Sequence, residues 1–127
     1  MIERVKKFTI GKKSFTVNFP NIGQIIDLES LKQGLSSNRY GVMVASGVAS
    51  AYYALDLIDT IAFYQIVCPE VGKYYNIENY TTLPPEKIND LMNAYTKQIK
   101  PWYDKVMQEI KQASKESNQD DGEGTDM

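Results

Sequence analysis

Histidine is absent from this 127-residue chain. That removes the commonest general base and the commonest metal ligand. There is a single cysteine, Cys68, so no intrachain disulfide framework can form, as suits a reducing compartment. With no histidine to activate it, the Cys68 thiol reads as a buried structural group and not a nucleophile. No glycine-rich phosphate loop follows a strand; Gly41 and Gly47 lie inside an apolar helical pattern, without the Lys-Ser/Thr of a P-loop beside them. These absences point away from an enzyme, and nothing in the chain asks for a cofactor or a metal.

Neither charge sign dominates. The formal net charge is −2, but Glu116, Asp120, Asp121, Glu123 and Asp126 crowd the end of the chain with no base among them. The rest is weakly basic, with Arg4, Lys6, Lys7, Lys12 and Lys13 among its first thirteen residues. Hydrophobic residues make up 43% and charged residues 24%, a globular composition for one domain with a modest core. The basic, alternating N-terminus lacks the apolar stretch of a signal peptide.

The longest apolar stretch is YGVMVASGVASAYYALDLIDTIAFYQIV, residues 40–67. It reads as one long helix. At about 100° per residue, Met43, Val44, Val48, Ala51, Ala54, Leu55, Ile58, Ile61 and Ala62 gather on a core side. The opposite side carries Tyr52, Tyr53, Leu57, Phe63 and Tyr64 among Ser46, Ser50, Asp56, Asp59 and Thr60. Each aspartate would cost roughly 2.5–3.5 kcal/mol at a bilayer centre, which argues against a membrane span. A helix apolar almost all round is enclosed by neighbours or awaits a partner.

Before it, Val5, Phe8 and Ile10 alternate, as do Phe15, Val17 and Phe19, around Gly11-Lys12-Lys13-Ser14. This predicts a β-hairpin, residues 4–10 with 14–19, in which Gly11 accepts positive φ. A lone hairpin is marginal in water, so it must pack on a helix or extend a neighbour's sheet; its lysines resemble edge protection. Pro20 ends the second strand. Asn21 and Gln24 form a capping box for an amphipathic helix over about 22–33, with Gly34 as its left-handed end. Cys68-Pro69 stops the long helix, and a looser stretch with Tyr74, Tyr75 and Tyr80 follows. Pro84 and Pro85 open a last helix over about 85–113, which Pro101 should kink or split near Lys100. The acidic sequence over 114–127 cannot bury enough apolar surface to order itself and is expected to be disordered. The fold class is therefore α+β, mostly α: an N-terminal hairpin, then a three- or four-helix bundle built on a long central helix.

Asp56 and Asp59, three apart on a helix, could hold a cation or do acid–base work, but a solvated pair or a lysine partner is the plainer reading. The hairpin lysines are the sole candidate for nucleic-acid binding, and they are few. Protein association is the best-supported role. Gly41, Ala45 and Ala49 step by four, as do Ser46, Ser50 and Ala54, and small residues let another helix approach closely. The aromatic side, Tyr52, Tyr53, Leu57, Phe63 and Tyr64, is the candidate partner-binding surface, because aromatics are enriched in interface cores. A homo-oligomer is expected.

The order of hairpin, short helix with Asp27-Leu28-Glu29, long small-residue helix and acidic tail resembles the tail assembly chaperones of tailed bacteriophages. The residues that carry this resemblance are FTIGKKSFTVNFPNIGQIIDLE, 8–29, where a hairpin feeds a helix in which an acidic residue follows an apolar pair. It covers the first half of the chain; Trp102-Tyr103 on the last helix has no counterpart. The resemblance implies a small protein of the host cytoplasm that coats apolar helical segments of the tape measure protein and recruits tail tube subunits. Two alternatives stand beside it. One is a structural virion component, a capsid or tail accessory protein packed against identical subunits, and the other is a small nucleic-acid-binding regulator.

Overall fold

In the computed structural model the backbone is described over residues 1–125 and side chains over residues 1–114. The acidic tail expected to be disordered over 114–127 falls outside the residues described in full. The architecture is an N-terminal hairpin laid on a set of helices, as the alternation and the 3.6-residue periodicity predict.

Strand β1 (Val5–Ile10) pairs antiparallel with β2 (Lys13–Asn18), Phe8 opposite Phe15. Gly11 takes φ of +61°, the first central position of a two-residue turn that needs glycine there. Alternation puts Phe8, Ile10, Phe15 and Val17 on one face, and all four are buried. The Phe8 and Phe15 rings stack at 5.6 Å, and Phe8 meets Tyr64 at 6.3 Å. The hairpin is thus anchored on the helices, as a two-stranded sheet must be. Its leading residues are fastened as well. Trp102 donates its indole N–H to the Glu3 carbonyl at 2.8 Å, and Arg4 pairs with Glu109 at 3.1 Å.

Helix α1 (Ile22–Leu35) starts with the expected capping box: Asn21 and Gln24 exchange side-chain to backbone hydrogen bonds of 2.9 Å. Its end differs from the expectation. Gly34 stays helical, and the left-handed residues are Ser37 (φ +55°) and Asn38 (φ +65°), asparagine being one of the few side chains that tolerates this region.

The helix read as continuous over 40–67 is two helices, α2 (Tyr40–Ser46) and α3 (Ala49–Ile66). Gly47 adopts φ of +70° and Val48 is extended, so the chain turns a corner. A glycine in the left-handed region is a standard helix end, and apolar residues on both sides hide it from periodicity. Ser46 reinforces the corner by accepting from the Val48 N–H at 3.3 Å.

Cys68-Pro69 ends α3 as expected, and Pro69 opens a short α4 (Pro69–Tyr74). A 3₁₀ turn at Tyr80–Thr82 leads to α5 (Pro85–Ala94), with Pro85 in its first turn. Pro101 is accommodated without a break. The preceding segment, Tyr95–Ile99, winds as a π-turn, with the Lys100 N–H donating to the Tyr95 carbonyl, before α6 (Lys100–Thr125) continues. A proline clashes with the carbonyl four residues earlier, and the wider turn moves that carbonyl aside. Among the described residues no helix is long and apolar enough to cross a membrane.

Candidate partner-binding surface

From Tyr40 to Leu55 the sequence holds no charged residue. Enclosure by the rest of the fold divides residues 40–67 into two zones. Thr60, Ile61, Ala62, Phe63 and Tyr64 are five consecutive buried residues, so α3 is covered on every side there. Towards its N-terminus, and over most of α2, the cover thins, with only Tyr40 and Met43 of α2 half-buried. Val42 is 71% exposed, Val44 51%, Val48 53%, Tyr52 51% and Tyr53 45%. Val44 and Val48, which periodicity assigns to the core side, are therefore surface residues. Among the described residues nothing covers them.

The predicted aromatic surface divides in the same way. Tyr52 and Tyr53 are exposed, and Leu57 is half-buried against the core. Phe63 and Tyr64 are core residues and cannot contact a partner; the expectation for these two is corrected. The Phe63 ring lies 5.3 Å from Tyr95 and 6.1 Å from Tyr103. Tyr64 donates its hydroxyl to the Leu91 carbonyl at 2.8 Å, and burial raises its pKa above the ordinary tyrosine value. A buried tyrosine hydroxyl with a carbonyl partner is a satisfied core group.

The exposed corner is fixed from below by a polar cluster. Tyr40 donates to Asp59 at 2.6 Å, and the Lys32 ammonium lies 3.6 Å from the same carboxylate and 3.1 Å from Glu29. The ammonium also sits 5.5 Å from the centroid of the Tyr40 ring. Together these residues join α1, α2 and α3. Burial raises the Asp59 pKa despite the Tyr40 hydroxyl and Lys32, which act to lower it. Asp59 is thus held in a structural pair with a lysine, and no group of acidic or cysteine side chains of metal-binding size occurs among the described residues. Cys68 is fully buried; desolvation, with Glu70 adding to it, pushes its thiol up to about 12. A thiol of that kind is protonated and unreactive at neutral pH.

The exposed residues lie where α2 and α3 meet at Gly47. Tyr52 covers the corner itself, its hydroxyl 3.8 Å from where a Cβ on Gly47 would stand. Val48 and Tyr52 lie one turn apart, so the valine and the ring are neighbours. Val42, Val44 and Tyr53 are exposed on the same two helices, although Val42 and Val44, two apart on α2, face different sides of it. Sequence reasoning found the two tyrosines from aromatic content. It missed Val42, Val44 and Val48, although the run of sixteen uncharged residues was a usable signal.

Lys13 lies over the Tyr74 ring at 5.0 Å, while Lys6 is half-buried on the opposite strand. Comparison of the chain with protein-family models, with curated proteins and with solved structures finds no match in any of the three.

Proposed function

We propose that this protein is a non-catalytic helix-binding chaperone of the phage tail assembly type, which holds apolar helical segments of a tape measure protein against the α2–α3 corner. One observation carries this reading: Val42, Val44, Val48, Tyr52 and Tyr53 stand exposed in an uncharged stretch over α2 and the start of α3, whose other end is fully enclosed. The order of hairpin, capped α1 and small-residue helices supports the same family resemblance.

The size of the surface suits a transient client. Burying some 400 Å² at about 25 cal/mol per Å² yields roughly 10 kcal/mol gross, comparable with the 4–15 kcal/mol that association costs. The client must therefore bring an apolar stripe of its own. An amphipathic helix does so, laying anchors at i, i+3 and i+4 against the valines and tyrosines. The absence of charge from Tyr40 to Leu55 removes any demand for a matched client charge, so segments of varied sequence are accepted.

The test is co-purification and calorimetry with an amphipathic fragment of the tape measure protein encoded alongside it. The wild type should bind, and Val48→Glu with Tyr53→Glu should abolish binding while far-UV circular dichroism stays unchanged. Undiminished binding by that variant would exclude the corner as the client site. Stoichiometric presence of the protein in purified mature particles would favour the structural virion alternative.

A further inference from the structure

The two edges of the hairpin are treated differently. On β1, Thr9 faces away from β2 and its backbone is covered: its N–H donates to Gln98 Oε1 at 3.0 Å, and Gln98 Nε2 donates to its carbonyl at 2.8 Å. One glutamine amide thus takes the place a neighbouring strand would fill. Gln98 stands in the π-turn ahead of Pro101.

The pairing parity fixes what faces outward on β2. Thr9 stands opposite Ser14, and the Phe19 N–H donates to the Arg4 carbonyl, so Phe15 and Val17 bond inward while Ser14, Thr16 and Asn18 point their N–H and C=O groups away from β1. None of these outward groups has a hydrogen-bond partner among the described residues. All three residues are exposed, and a groove of about 390 Å³ runs beside the edge, lined by Thr16, Asn18, Gln24 and Glu70 among others. An open edge of this kind is a template for another strand.

The geometry points to β2 of a second copy as the strand that fills this edge, forming a four-stranded antiparallel sheet across a two-fold axis at Thr16. Three features select a second copy. The outward groups are self-complementary: Thr16 meets Thr16 and Ser14 meets Asn18, each pair exchanging two hydrogen bonds, with small uncharged side chains opposed. The edge is bipolar, with Lys12 and Lys13 at its start and Glu70 beside its end, so antiparallel pairing sets Lys13 of each copy towards Glu70 of the other. On the buried face the same register continues the Phe15 row with Val17, an aromatic to β-branched pair. The assembly also closes. Its outer strands are the two β1 strands, in each of which Gln98 already holds the Thr9 N–H and carbonyl, so a further strand cannot pair along their full length and the two-fold pairing stops at a dimer.

This interface is separate from the helical corner, and a backbone test reaches it selectively. Thr16→Pro removes an N–H that points outward and leaves the β1–β2 ladder intact, because proline is accepted on the free side of an edge strand. Light scattering at a series of concentrations should show a dimer for the wild type, for Thr16→Val and for Tyr53→Glu, and a monomer for Thr16→Pro with the wild-type thermal midpoint. Lys13→Glu and Glu70→Lys should each weaken the dimer at least tenfold, and the double swap should restore it, which covers the case in which Thr16→Pro fails to fold. A monomeric wild type, a Thr16→Pro protein that is folded and still dimeric, a Tyr53→Glu protein that turns monomeric, or a swap without rescue would each overturn the proposal.

Discussion

The two ends of the apolar stretch over 40–67 have similar composition and opposite fates. At the C-terminal end, Phe63 and Tyr64 are met by the hairpin through Phe8, by α5 through Leu91, by the π-turn through Tyr95 and by α6 through Tyr103. At the N-terminal end, Val42, Val44, Val48, Tyr52 and Tyr53 each keep about half or more of their surface open. The difference lies in the neighbours and not in the residues. Where four elements converge, an all-round apolar helix becomes core; where they run out, the same pattern stays exposed.

The largest effect should come from the enclosed end. Phe63→Ala is expected to cost about 3–5 kcal/mol, as large aromatic truncations in packed cores do. Denaturant unfolding will show it as a large fall in the midpoint. A loss under about 1 kcal/mol would mean that this end is not sealed, and the contrast would collapse.

Alkaline pH attacks the same end. Burial pushes the Tyr80 hydroxyl up to about 12 and raises Tyr64 and Tyr95 in the same direction. The folded state then holds these protons more tightly than the unfolded chain, whose tyrosines titrate near 10. Their contribution is complete below about pH 10 and is lost as pH rises towards the folded value. The thermal midpoint should therefore fall steadily above about pH 10, together with a delayed tyrosinate absorbance.

Between the ends, Tyr40→Phe removes the 2.6 Å hydrogen bond to Asp59 and should cost about 1–3 kcal/mol, since a half-buried carboxylate loses a donor. Amide exchange should quicken in α2 more than in α3. Gly47→Ala forces a side chain into φ of +70° at about 1 kcal/mol; a rise in helicity would mean that α2 and α3 had straightened into one helix. The smallest effect belongs to the open end, where Tyr53→Ala should shift stability within about 0.5 kcal/mol. A larger loss would place Tyr53 in the core.

Much of the frame was legible in the sequence. Alternation with Gly11 located the hairpin, Asn21 with Gln24 located the start of α1, and Cys68-Pro69 and Pro85 marked a helix end and a helix start. Each signal is a contact between a side chain and backbone within a few residues, so the chain states it locally. The corner at Gly47 was not legible, because one glycine inside an apolar run fits a continuous helix as well as a broken one. Nor was the winding ahead of Pro101, since a proline demands a disturbance without choosing its form.

What the sequence determined by itself, then, is the order and kind of elements, an uncharged stretch from residue 40 to 55, and a chain with no histidine. Which apolar residues became core and which stayed open was decided by tertiary structure alone. Periodicity states the direction a side chain faces, but whether anything stands in that direction depends on residues far along the chain. Phe8 against Tyr64, Leu91 accepting the Tyr64 hydroxyl and Gln98 covering the backbone of Thr9 are all contacts of that long-range kind. The same holds for the free edge of β2. Its residues spell a strand in the sequence, and only the fold shows that no described residue of this chain pairs with its outer side.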